Sequence, residues 1–69
     1  IKMVLTAIIH REDDWFVAEC PEVGTASQGQ SVEEAIANLK EATEVYLDEF
    51  PRQSSVHPIL TTFEVAAHA

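Results

Sequence analysis

Twelve carboxylates, three histidines and one cysteine are the groups in this 69-residue chain that could do chemistry, and their spacing decides of what kind. Glu12, Asp13 and Asp14 are consecutive, whereas a divalent cation needs oxygens that converge from separate elements. They read as a solvated hairpin tip. Further along, Glu41, Glu44 and Asp48 recur at helical spacing, yet nothing around them would bury one carboxyl and raise its pKa for acid or base work. Cys20 precedes Pro21, and no histidine stands at a spacing that suggests a nucleophile and base pair. Free cysteines are among the most buried residue types, so Cys20 reads as core. His10, His57 and His68 have no ligand-like spacing, and Gly24 and Gly29 lack the order of a nucleotide loop and read as turn residues. The expectation is a non-enzymatic chain with no catalytic residue, metal or cofactor.

Charge narrows the class of partner. Four basic residues against twelve acidic ones give a formal net charge of -8, which repels phosphate backbones and anionic lipid surfaces. A basic protein is the better candidate, because opposite charge steers encounter. Maintaining solubility is the competing role for the same charge. Trp15 beside the acidic tip is a natural anchor on such a surface, and packing of Trp15 in the core or in a dimer interface is the other reading. The candidate partner-binding residues are therefore Asp13, Asp14, Trp15, Glu41, Glu44 and Asp48, with a solvated helix face as the alternative for the last three. No apolar run approaches the roughly 18 residues of a membrane span, and no signal peptide is evident. The single cysteine fits a reducing compartment, so the expected location is the cytoplasm.

The elements that must position these residues follow from periodicity. Ser31 and Glu34 form a capping box, so a helix starts at Val32, and Pro51 stops it. On that helix Val32, Ala35, Ile36, Leu39, Ala42, Thr43, Tyr46, Leu47 and Phe50 share one side, which is expected to be buried. The acidic side faces water. Before the helix, residues 2–10 alternate as a strand, residues 11–14 form a hairpin loop, and residues 15–20 resume as a second strand. Phe16, Ala18 and Cys20 fall on one face of it, Trp15, Val17 and Glu19 on the other. A third strand is expected at residues 25–28. After the helix comes a turn at residues 52–55, an extended His57-Pro58, and a last strand at residues 59–66 with Ile59, Thr61, Phe63 and Val65 on one face. The fold class is α+β, an antiparallel-rich sheet of about four strands with one helix on one face, in a single domain. One helix covers one face of a sheet. The other face would be open in a monomer, so a homodimer or larger homo-oligomer is expected.

The ordered run Ala18-Glu19-Cys20-Pro21, a glycine turn, Gly29-Gln30-Ser31-Val32-Glu33-Glu34-Ala35 and then Glu41-Ala42-Thr43-Glu44-Val45-Tyr46-Leu47 resembles the HicB-like antitoxin family over nearly the whole chain. The resemblance implies a fold like a partial ribonuclease H domain without that enzyme's active site. It also implies a protein that neutralises a small basic RNA-cleaving toxin of the HicA kind. Many members continue into a helix-turn-helix or ribbon-helix-helix segment; operator binding is not carried over to these 69 residues. A stand-alone oligomeric module of the same fold, with no toxin partner, is the alternative.

Overall fold

The computed structural model describes residues 2–51 and 59–68. Three strands, β1 (Ile8–Glu12), β2 (Trp15–Cys20) and β3 (Thr25–Gly29), precede one helix, α1 (Val32–Glu49). The strands form an antiparallel sheet in the order β1-β2-β3, and the helix packs on one face of it. This is the α+β architecture expected from the sequence, with three strands among the described residues rather than four.

The β1–β2 hairpin is tighter than the four-residue loop its acidic run suggests. Glu12 pairs with Trp15, so only Asp13 and Asp14 make the turn. Asp13 takes a left-handed backbone with φ 54°, a conformation that a short polar side chain tolerates better than most. Pairing, rather than apolar pattern, sets where β1 lies. Its ladder runs from Ile8 opposite Glu19 to Glu12 opposite Trp15, so residues 2–7, expected to be strand, lie outside it. They lead past the end of β2 at Cys20, where Pro21 has no amide to offer. Here the Glu22 carboxylate substitutes for a strand: its oxygens accept from the Thr6 amide at 3.1 and 2.9 Å and from the Thr6 hydroxyl at 2.7 Å.

Helix α1 begins and ends where its local signals place it. The Ser31 Oγ accepts from the Glu34 amide at 3.1 Å, and the Phe50 amide closes the last turn on the Tyr46 carbonyl at 2.8 Å, one residue before Pro51. The returning arm of the capping box differs from expectation, since the Glu34 carboxylate accepts from the Gln30 amide, 2.8 Å away, rather than from Ser31. At 1.5 Å per residue the helix is about 27 Å long. The sheet covers only part of its apolar side. Ala35, Leu39 and Thr43 are buried and Ala42 and Leu47 half-buried, while Val32, Ile36, Tyr46 and Phe50, also expected inside, are exposed. Three short strands are narrower than the stripe they face.

The core is Ala18 and Cys20 from β2 against Ala35 and Leu39 from α1, flanked by Leu5, Ile9, Phe16 and Val23. Its small residues bring helix and sheet close together. Gly29, expected to be a turn residue, is instead the last residue of β3: a Cβ there would stand 2.6 Å from the Ala35 nitrogen and 2.8 Å from the Glu34 carbonyl carbon. The glycine permits a backbone-to-backbone approach. Gly24 is the turn glycine, with φ 89° and its amide bonded to the Cys20 carbonyl at 2.8 Å. Two side-chain bonds finish the helix–sheet contact: Thr25 Oγ1 lies 2.7 Å from Thr43 Oγ1, and Asn38 Nδ2 donates to the Gln28 carbonyl at 2.8 Å.

The strand expected at residues 59–66 does not form. Those residues lie outside any helix or strand and are exposed throughout. A strand is held by a neighbour's ladder, and among the described residues none pairs with this segment. The turn and extended segment expected between them and the helix fall on residues 52–58, outside the described residues.

Candidate partner-binding surfaces

Strand register sorts the side chains between two faces of the sheet. Phe16, Ala18 and Cys20 look toward the helix, together with Arg11 and Ile9 opposite the first two of them. Consequently Trp15, Val17 and Glu19 look away from it, with Glu12, His10 and Ile8 as their cross-strand partners and Gln28 and Ala26 beside them on β3. Trp15 is 41% exposed, Ile8 is similarly open and Val17 is half-buried. The open face thus combines an indole and two aliphatic groups with the carboxylates of Glu12 and Glu19. His10 Nε2 sits 3.1 Å from Glu12 Oε2 within it. The turn residues Asp13 and Asp14 extend it at the hairpin tip, where Arg11 Nε donates to the Asp13 carbonyl at 3.0 Å.

The six residues proposed from sequence fall into two groups. Asp13, Asp14 and Trp15 lie at the hairpin tip, at the end of the sheet where Phe16 pairs with Gly29 and Gly29 meets the start of α1. Glu41, Glu44 and Asp48 are exposed on the C-terminal half of the helix, which packs at the other end of β3 through Thr43 and Thr25. No single patch contains both.

Glu44 and Asp48 instead border a groove of about 680 Å³ between the helix and the segment leading into β1. Lys2, Met3 and Leu5 line one wall; Ile36, Leu39 and Leu47 line the other, with Lys40 at the margin. Sequence reasoning missed this feature. Its one signal was that residues 2–10 are apolar on both faces, more than a single helix can cover.

Glu22 was also not singled out. Its carboxyl is held below the ordinary glutamate value, chiefly by the Thr6 hydroxyl; burial, the next largest effect, opposes this, and backbone amides and the Cys20 thiol add smaller lowering contributions. Cys20 is buried, and its Sγ lies 3.5 Å from Glu22 Oε1, as a core thiol. His68 is exposed, and His57 falls outside the described residues. Among the described residues, no three His, Cys, Asp or Glu side chains are grouped to hold a metal ion, and no helix is long and apolar enough to cross a membrane. The chemistry this arrangement offers is recognition: an apolar anchor with fixed carboxylates around it.

Comparison with known proteins supplies one informative relative. A UPF0150 protein of Helicobacter pylori (strain J99 / ATCC 700824) is 36% identical over 70 residues, an alignment that covers 93% of this chain and 97% of the relative. No family model matches the chain. No solved structure matches it either.

Proposed function

Because this chain belongs to the UPF0150 family, we propose that it is a non-catalytic, HicB-like antitoxin domain that binds and neutralises a small basic RNA-cleaving toxin. The observation that carries the reading is the open sheet face, where Trp15 stands among Glu12, Glu19 and the Asp13–Asp14 turn in a chain of net charge -8. The motif order shared with HicB-like antitoxins supports it from the sequence side. A toxin that cleaves RNA needs a cationic surface for phosphates. Carboxylates on a rigid sheet compete for the same cations, and an aromatic anchor supplies the apolar contact that charge alone lacks. Glu41, Glu44 and Asp48 offer a second acidic surface to the same kind of partner.

Tagged protein, used to capture partners from its native host and washed first at low salt and then at about 0.5 M salt, tests the reading, since exposed charge pairs are strongly screened at the higher concentration. The expected result is one small basic protein, released in part by salt, that cleaves RNA when freed. Trp15→Ala should weaken its capture by on the order of tenfold or more, as the loss of an aromatic anchor does. Capture of the chain's own copies alone counts against a toxin partner and favours the stand-alone oligomeric module. That second reading draws on a separate observation: the exposed apolar residues Ile59, Leu60, Phe63 and Val65.

A further inference from the structure

We propose that residues 59–66 of a second copy of this chain dock along the outer edge of β1 and fill the groove beside α1, and that two copies exchange these segments reciprocally. The inference does not depend on a toxin partner. Three observations carry it.

The first is an open acceptor. In the order β1-β2-β3, β1 is an edge strand. The Glu12–Trp15 pair closes the two-residue turn with hydrogen bonds, so by the alternation of an antiparallel ladder the amides of Ile9 and Arg11 point to the outer side. Beside that edge lies the groove walled by Met3, Leu5, Ile36, Leu39 and Leu47. Unpaired backbone next to an apolar trough is a template for one more strand.

The second is an open donor in the same chain. Ile59 is 90% exposed and Phe63 85%, and Leu60 and Val65 are nearly as open. With Thr61 these residues keep the alternation of a strand, which would turn Ile59, Phe63 and Val65 into the trough together. The segment's one carboxylate, Glu64, stands between Phe63 and Val65 and so falls on the opposite face, away from the trough. None of residues 59–68 lines the groove of its own chain.

The third is the excess of surface. A compact monomer of 7.6 kDa exposes about 4,300 Å². This chain exposes 6010 Å². Its radius of gyration is 14.3 Å, against about 11 Å for a compact chain of 69 residues. The excess of roughly 1,700 Å² per chain is of the size that stable interfaces remove from solvent. Reciprocal exchange fills both acceptors and covers both donors in one closed two-fold arrangement.

The test mixes isotope-labelled and unlabelled protein and records filtered nuclear Overhauser contacts between copies, with the mass measured by light scattering. Contacts from the Phe63 ring of one copy to the Leu5 or Leu39 methyls of the other, at a mass about twice the 7.6 kDa of one chain, are expected. Phe63→Asp should lower the mass to that of one chain while the helical circular dichroism of α1 is kept. The proposal is overturned by the same contacts within a single copy, by a dimer that lacks them, by a monomeric parent protein, or by a Phe63→Asp variant that stays dimeric.

Discussion

Alanine at Gly29 tests the closest approach in the fold, where helix backbone lies against sheet backbone. The added Cβ would stand 2.6 Å from the Ala35 nitrogen, 2.8 Å from the Glu34 carbonyl carbon and 2.9 Å from the Glu34 Cβ. An ordinary contact is about 3.5 Å or more, so the start of α1 must retreat by most of an ångström. Two of the three atoms are backbone, which no rotamer change can clear. That retreat pulls Ala35 from Ala18 and Cys20 and disturbs the Ser31 cap. Overpacking of this kind costs about 1–3 kcal/mol, and the loss of glycine entropy from the unfolded chain returns about 0.4–1 kcal/mol. The net expectation is a loss of roughly 1.3 kcal/mol, or a fall in melting temperature of about 5–10 °C for a domain of this size.

Gly24 is the internal control, because its requirement differs. No atom lies within 4 Å of a Cβ built there, but φ is 89°, so Gly24→Ala meets backbone strain alone and should cost about 1 kcal/mol. Asparagine tolerates that region and should recover much of the loss at Gly24, while Gly29→Asn should be no better than Gly29→Ala. Thermal unfolding followed by far-ultraviolet circular dichroism reads all four variants. A Gly29→Ala protein melting within about 2 °C of the parent would refute the reasoning, as would rescue by asparagine at Gly29.

Three further outcomes follow from other contacts. Thr43→Val removes one hydroxyl of the 2.7 Å Thr25–Thr43 pair and should cost about 1 kcal/mol, whereas the double valine variant should lose clearly less than the two single losses combined; strictly additive losses in urea unfolding would show that the hydroxyls do not interact. The folded-state pKa of Glu22 is lowered, so its bond to Thr6 contributes fully above the unfolded glutamate value of about 4.3 and is lost as pH falls through the lower folded value. Hydrogen exchange at the Thr6 amide, corrected for intrinsic rate, should therefore lose protection below that range, and Glu22→Gln should remove this pH dependence. Asp13→Gly should stabilise the hairpin by up to about 1 kcal/mol and Asp13→Val should destabilise it, since Asp13 has φ 54°; equal melting temperatures for the two variants would contradict this account.

Several features were legible in the order of residues because their causes are local. Ser31 bounds the helix through a bond that spans one turn and Pro51 through the amide it lacks, so the ends at Val32 and Glu49 follow from sequence neighbours. The alternation in residues 15–20 likewise assigned Trp15 to one face and Ala18 with Cys20 to the other. Which face the helix would cover was not legible, and on that choice rests whether Trp15 can meet a partner. The tertiary structure decided it through the helix contact with Ala18 and Cys20. It also decided that Gly29 serves close packing rather than a turn, that Glu22 stands in for a strand partner at Thr6, and that residues 59–66 are no strand. In each of these the residue's role depends on an atom distant in sequence: six residues away for Gly29, sixteen for Thr6, and for residues 59–66 a neighbouring strand, which none of the described residues supplies. Local composition specifies what a segment can do with itself; the position of a remote backbone specifies whether it does so.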